Sequence, residues 1–328
     1  MNYDEAFSAF TSLFNHQMND EEMREFLISM KLDENMSVDA IAAAASVMRS
    51  KAIALPVSDE LRPKLLDVVG TGGDKIGSFN ISSTVALLCA SMGSYVAKHG
   101  SRSVTSKSGS ADMFESLGVR LDLSLQQSAR LLEECGFTFM FAQNHHPAMK
   151  FIMPVRKSIT TKTIFNVLGP LTNPAGVEKI MLGVFDRSFV PKIARALQIN
   201  NVKSAMVVSS KEHMDEISLS DITYAARVAP EGITEYEIDP TAYGIKRQPL
   251  EAIVGGDAKE NAAILHNIFN NQATVAQRDI VLINAANAFI VDGKARDIQD
   301  GLAIAKEALL SGKAKAKLKE IIQVSQKL

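Results

Sequence analysis

The chain has 328 residues, 46% hydrophobic and 22% charged, with a formal net charge of −2. That length buries a sizeable core in two lobes, and the near-neutral charge excludes a global field that would recruit nucleic acid or an anionic membrane. Two cysteines, Cys89 and Cys135, both in apolar helical patterns, exclude a disulfide framework and a zinc cluster. The acidic start MNYDEAFSAF lacks a signal-peptide layout, and no apolar run approaches the ~20 residues of a membrane helix. A cytoplasmic location is expected.

Residues 1–62 carry helical periodicity: Ala6, Phe7, Phe10, Leu13 and Phe14, then Met23, Phe26, Leu27 and Met30. Asn19 before Asp20-Glu21-Glu22 is an N-cap with a capping-box carboxylate, and Ser37 caps a third helix carrying Ile41, Ala44, Ala45 and Met48. Pro56 and Pro63 bracket a linker, so 1–63 reads as an N-terminal helical domain. From residue 65 strands and helices alternate. Strands are expected at LLDVV, 94–99, 137–142, 179–185 and 203–208, with shorter ones at 223–229 and 233–238. Helices are expected at 80–92, near 109–117, at 124–135, 257–270, 275–291 and 298–310. That alternation predicts an α/β domain over 64–328 with a central mixed, mostly parallel sheet. Residues 143–178 break the rhythm with HHPAM, MPVR and FNVLGPLTNP. Helices from about 146–178 are expected to join the N-terminal domain in space. The Lys313, Lys315, Lys317, Lys319 series reads as a solvated helix end.

Chemistry concentrates where LLDVV stops at Gly70-Thr71-Gly72-Gly73-Asp74 and Asn80-Ile81-Ser82-Ser83-Thr84 opens a helix. Glycines let the backbone approach a ligand, and free N–H groups at a helix start favour an anion. The spacing matches neither a Walker A loop nor G-x-G-x-x-G, which points away from a nucleoside triphosphate or dinucleotide and toward another phosphorylated ligand. A second polar stretch, Lys98-His99-Gly100-Ser101-Arg102-Ser103-Val104-Thr105-Ser106-Lys107-Ser108-Gly109-Ser110, also follows a strand and precedes a helix. An exposed serine-rich loop would account for it in isolation. At the carboxyl ends of neighbouring parallel strands the two loops would instead face each other, and phosphate and pyrophosphate would use the cations and hydroxyls together. Met214-Asp215-Glu216 follows the strand-like AMVVSS; opposite two phosphate-type loops, its adjacent carboxylates suit Mg²⁺. His145-His146, followed by Pro147, lacks partners for a transition metal.

GTGGD at 70–74, SFNIS at 78–82, KHG-RSV-SKSG across 98–109, MPVR at 153–156, FNVLGPLTNP at 165–174 and MDE at 214–216 together resemble the anthranilate phosphoribosyltransferase family, over essentially the whole chain. The resemblance implies a helical domain hinged to an α/β domain, a homodimer, Mg²⁺, and transfer of phosphoribosyl from phosphoribosyl pyrophosphate to anthranilate. By position it implies donor contacts from Gly70, Gly73, Asp74, Ser78, Asn80, Ile81, Ser82, Ser83, Lys98, His99, Gly100, Ser101, Arg102, Ser103, Val104, Thr105, Ser106 and Ser110. It implies metal contacts from Ser82, Asp215 and Glu216 and anthranilate contacts from Gly70, Ser101 and Arg156. For that reaction the cations Lys98, Arg102 and Lys107 are expected to position the diphosphate by neutralising its developing charge. The family usually carries Asn where this chain has Ser101, and Tyr where it has His145. No acid–base residue is expected, since an aromatic amine is already unprotonated at neutral pH. Two other readings are a pyrimidine-nucleoside phosphorylase, which shares the architecture, and a non-catalytic nucleic-acid-binding relative, for which the net charge is unsuited.

Overall fold

The computed structural model describes residues 1–103 and 107–328. The chain opens with α1 (Tyr3–Phe14), α2 (Asp20–Ser29) and α3 (Val38–Ser50). Asn2 and Asn19 each close a capping box, with Glu5 and Glu22, and the Ser37 side chain accepts from the Ala40 N–H. These bonds satisfy N–H groups that no preceding turn can pair.

Among the described residues a seven-stranded sheet follows: β1 (Leu65–Gly70), β2 (Tyr95–Gly100), β3 (Phe137–Phe141), β4 (Lys179–Gly183), β5 (Ser204–Ser210), β6 (Thr223–Ala229) and β7 (Gly232–Ile238). Its order is β3-β2-β1-β4-β5-β6-β7; β1 to β5 pair in parallel, and β6 and β7 add antiparallel. The mixed, mostly parallel sheet expected from the alternating pattern is therefore present. From β1 the chain winds outward to β2 and β3, then returns to place β4 on the other side of β1. The carboxyl ends of β1 and β4 flank the point where the winding reverses, which leaves a crevice between diverging connections.

The connecting helices are α4 (Ile81–Ser91), α5 (Ser110–Ser116), α6 (Leu125–Cys135), α7 (Ala142–His145), α8 (Met149–Lys157), α9 (Phe165–Leu168) and α10 (Val190–Ile199), then α11 (Ala258–Phe269), α12 (Val275–Asp292), α13 (Ile298–Leu310) and α14 (Lys313–Lys327). One core gathers Val85, Leu88, Ile283 and Phe289 from α4 and α12 against one face of the sheet. The other joins Leu65, Ile180 and Val207 to Phe10, Ile41 and Ile193. A sheet buried on both faces explains why its parallel strands read as continuous apolar runs. The segment after α8 packs on the N-terminal helices: the Leu32 N–H donates to the Lys162 carbonyl, the Ile164 N–H to Met30, and the Phe165 ring lies 6.1 Å from Phe14.

Two elements differ from the sequence reading. α10 has no counterpart there, because Pro191 interrupts its pattern; proline is tolerated in a first helical turn, where the N–H has no partner to lose. The lysine series is not the end of α13 but the start of a separate helix. Gly312, at φ +75°, breaks the two, and Leu318 and Ile321 bury the apolar face of α14.

A buried polar knot ties the end of α12 to the sheet. The Asp292 carboxylate accepts from Lys179 Nζ at 2.9 Å and from Ser94 Oγ at 2.6 Å. Asp292→Ala leaves the buried Ser94 hydroxyl without its acceptor and Lys179 without its counter-charge, keeping only the Lys179 bond to the residue 292 carbonyl at 2.9 Å, and we expect a loss of about 1–3 kcal/mol. Asp292→Asn keeps an acceptor and should lose less. Chemical denaturation of the two variants checks this; equal losses would mean that the charge carries the whole contribution and the neutral acceptor none.

Candidate active site

β1 ends at Gly70 and β4 at Gly183, and the Thr71 N–H donates to the Gly183 carbonyl at 3.0 Å. Asp215 lies directly over this junction. Its Oδ2 accepts from the Gly72 N–H at 2.7 Å. A Cβ added at Gly183 would stand 1.6 Å from the Asp215 carbonyl oxygen, and one at Gly70 would stand 2.3 Å from Asp215 Oδ2. Both strands end in glycine because only a bare backbone admits Asp215 so close, its carboxylate at Gly70 and its main chain at Gly183. Sequence reasoning singled out Gly70 and missed Gly183; its signal was a second strand, KIMLG, also ending in glycine. It also missed Asn284, whose buried amide accepts from the Ile217 N–H at 2.9 Å and donates to the Ile217 carbonyl at 3.0 Å. That double bond fixes the chain immediately after Glu216.

Glu216 turns the other way, toward α4, where its Oε1 accepts from the Ser82 N–H at 3.0 Å. A carboxylate at a helix start is favoured by the helix dipole. Asn80 precedes the helix without capping it. Its Oδ1 instead accepts from Asn261 Nδ2 at 2.8 Å and from Ser108 Oγ at 3.4 Å, and its Nδ2 reaches the Ser108 carbonyl at 3.5 Å. Asn80 therefore joins the two polar loops. Ser78 bridges to Val254, Ile81 is buried, and the buried Ser83 Oγ has no partner among the described residues.

The acidic pair is electrostatically uncompensated. Burial, with Asp74 beside it, pushes Asp215 up to about 7, and burial with Asp215 beside it pushes Glu216 well above the usual carboxylate range. Lys98 offsets this in part, although its own pKa is lowered by burial. Hard carboxylate oxygens short of positive charge suit a divalent cation such as Mg²⁺. Among the described residues there is no group of three or more His, Cys, Asp or Glu that would hold a metal alone.

The second loop is arranged differently from the simplest reading of its cations. Lys98 is buried, with Nζ donating to the Val68 carbonyl at 2.5 Å. Arg102 forks onto Glu115, at 2.6 Å to each oxygen, and onto Asp112 at 2.9 Å. Ser101 and Lys107 are exposed. Gly100 closes against Ser110, whose Oγ would lie 2.4 Å from an added Cβ and which itself reaches the Ser101 carbonyl at 3.5 Å. Ser103 is anchored through its N–H to Asp112 at 3.1 Å, whereas Val104, Thr105 and Ser106 lie outside the described residues.

Beside these loops is a drier cluster. The His99 Nδ1 is 3.2 Å from the Gly169 carbonyl, and its ring lies 5.2 Å from that of His146. Both Nε2 atoms are buried without a hydrogen-bond partner among the described residues. Burial and the neighbouring histidines lower His99 to about 3, and burial with His145 lowers His146 to about 4. His145 points elsewhere, bonding the Ile53 carbonyl at 2.7 Å beside an apolar cavity of about 180 Å³. Arg156 sits half-buried over the Phe165 ring at 5.7 Å; among the described residues it has no carboxylate within ion-pair distance and makes no bond to either loop. Lys162 reaches the Gly73 carbonyl at 3.1 Å and stands 3.2 Å over the Phe185 ring.

Residues 62–315 match the model of a family described as glycosyl transferase family, a/b domain. An anthranilate phosphoribosyltransferase from Bradyrhizobium diazoefficiens is 41% identical over 322 residues, 98% of this chain and 94% of that one. This chain belongs to the anthranilate phosphoribosyltransferase family. The crystal structure of the family member from Thermus thermophilus matches with a TM-score of 0.91 at 36% identity, covering 99% of this chain and 96% of that one. A Saccharomyces cerevisiae anthranilate phosphoribosyltransferase in complex with phosphoribosyl pyrophosphate and Mg matches with a TM-score of 0.86 at 25% identity, covering 99% and 93%.

In this member of the anthranilate phosphoribosyltransferase family the two neutral histidines couple the site to stability. Unfolded histidines titrate near about 6.5, whereas His99 and His146 stay neutral in the fold until about 3 and 4. The unfolded chain therefore binds more protons below pH 6.5, so this contribution is complete above that pH and is drawn down toward pH 4. We expect the melting temperature to fall more steeply between pH 7 and 5 than it does in a His99→Asn/His146→Asn variant. Equal slopes would mean that the imidazoles are solvated.

Proposed function

We infer that the protein transfers the phosphoribosyl group of phosphoribosyl pyrophosphate to the amine of anthranilate, giving N-(5-phosphoribosyl)anthranilate and pyrophosphate, in L-tryptophan biosynthesis. The observation that carries this is the meeting of the β1 loop, the start of α4 and Asp215-Glu216 at the winding reversal, in a chain 41% identical over 98% of its length to an anthranilate phosphoribosyltransferase.

In this reading Gly70 to Ser83 form one wall of the donor site, and Lys98 to Ser106 with Ser110 form the facing wall. The Asn80–Ser108 bonds support a common site for both. Ser82, Asp215 and Glu216 hold Mg²⁺, which when bound supplies positive charge against the leaving diphosphate. The C1–O bond to pyrophosphate breaks as the C1–N bond forms, through an oxocarbenium-like transition state, and the amine proton is released to solvent. The protein's part is to position both substrates and stabilise charge, rather than to abstract a proton. Arg156 pairs the anthranilate carboxylate, supported by its half-buried setting without a carboxylate of its own among the described residues. Gly70 leaves room for the acceptor, and Ser101 stands at its edge.

Residues 1–63 together with about 146–178 act as one domain, closing on the α/β domain to exclude water that would hydrolyse the donor. The bonds of Lys162 and Ile164 to the N-terminal helices support that grouping. Among the described residues no helix is long and apolar enough to cross a membrane, and a cytoplasmic homodimer completes the proposal. The exposed Phe7 and Phe151 are consistent with a partner subunit.

The test is loss of anthranilate fluorescence with phosphoribosyl pyrophosphate and Mg²⁺, and absence of turnover would refute the assignment. In the same assay Arg156→Ala should raise KM for anthranilate at least tenfold more than KM for the donor; equal rises would remove Arg156 from the acceptor site. Gly183→Ala must displace the Asp215 backbone. A displacement near 1 Å lowers rates on the order of a hundredfold, so turnover should fall that far while the circular dichroism spectrum is retained. Turnover within threefold of the parent would show that the site tolerates the shift.

A further inference from the structure

We propose that Asp112 is a positioning residue of the donor site, closing the base of the second polar loop so that its two ends are held at one fixed spacing. The inference rests on the reading of this loop as a wall of the phosphoribosyl pyrophosphate site.

One carboxylate collects donors from both ends of the loop. Asp112 Oδ2 accepts from the Ser103 N–H at 3.1 Å and from the Gly109 N–H at 2.9 Å, while Oδ1 accepts from Arg102 Nη1 at 2.9 Å. Capping of α5 accounts for the Gly109 bond, since Asp112 is the third residue of that helix. It does not account for Ser103 or Arg102, which enter from the other end of the loop. The two ends touch: a Cβ at Gly109 would lie 2.4 Å from the Ser103 nitrogen and 2.6 Å from the Arg102 carbonyl carbon. A closure this tight needs an acceptor that serves both strands of the chain, and a carboxylate does so with charge-assisted bonds.

Burial alone would raise the Asp112 pKa, but the Ser103 and Gly109 N–H groups with Arg102 outweigh it and hold the carboxyl below its ordinary range. The closed base is in turn registered against the other wall, because Ser108, inside the loop, shares hydrogen bonds with Asn80 ahead of α4. The chain of support runs from Asp112 through the loop base to the residue that precedes the first helical N–H groups. Arg102 also pairs with Glu115, so its side chain keeps one carboxylate partner when Asp112 is removed.

The test compares Asp112→Ala, Asp112→Asn and Glu115→Gln. Amide hydrogen exchange at Ser103 and Gly109, read by NMR, should accelerate at least tenfold in Asp112→Ala. Donor KM should rise at least tenfold, while anthranilate KM and kcat stay within threefold. Asp112→Asn, which keeps one acceptor oxygen, should recover part of the donor affinity. Glu115→Gln, which leaves both backbone bonds, should stay within threefold of the parent. Unchanged donor KM despite faster exchange overturns the proposal. So do equal rises in both KM values, which would make Asp112 a general stability residue, and so does a Glu115→Gln loss as large as that of Asp112→Ala. If the parent does not turn over anthranilate, the proposed function fails. Calorimetric binding of phosphoribosyl pyrophosphate with Mg²⁺ then decides the role of Asp112 separately: binding by the parent and a tenfold loss in Asp112→Ala sustain it, and equal or absent binding in both ends it.

Discussion

Two carboxylates with too little positive charge around them, Asp215 and Glu216, are held against backbone at the point where the sheet reverses its winding. Burying an unpaired charge is among the most costly things a fold can do. The surrounding architecture offsets that cost with fixed dipoles. Gly72 and Ser82 point N–H groups at the pair, Lys98 lies behind it, and Asn284 pins the next residue by both of its backbone groups. The offset is incomplete, as the raised pKa of both groups records. An incomplete offset leaves hard carboxylate oxygens of the kind that suit a divalent cation.

The two loop walls are secured by unlike means. The first is stitched into regular structure: Phe79 N–H donates to the Ile253 carbonyl, Gly255 N–H to Gly77, and Asn261 clasps Asn80. The second leaves the sheet after Gly100, the last residue paired with β3, and beyond it the described ends of the loop are held by side-chain acceptors, Asp112 above all.

The cluster beside the loops is drier and is assembled from segments far apart in sequence. His99 comes from β2, His146 from the turn after α7, Gly169 from the segment after α9 and Arg156 from α8. Buried imidazoles and a half-buried arginine there contrast with the backbone dipoles that surround Asp215 and Glu216. Lys162 links the helical segment after α8 to the first loop through the Gly73 carbonyl.

Much of the fold was legible in the residues. Apolar runs marked every strand, apolar periodicity marked α1, and capping residues marked α2 and α3, because these signals are local. Pro191 hid α10, and Gly312 divided what read as one helix end, since a single residue of either kind outweighs a periodic pattern. The two polar loops and the acidic pair were also legible as one candidate site, because their residues stand in contiguous stretches. Gly183, Asn284, Asn261, Asp112 and the His99–His146 contact were not: each works through a partner many residues away, and nothing in the local sequence names that partner. The sequence by itself determined the α/β class and singled out the two polar loops and the Asp215-Glu216 pair as the candidate site, because those signals lie in contiguous residues. Only the tertiary structure decided that Lys98 is buried, that Arg102 turns to Glu115, and that His146 rather than His145 meets His99, because those choices follow from packing across the sheet edge rather than from residue type.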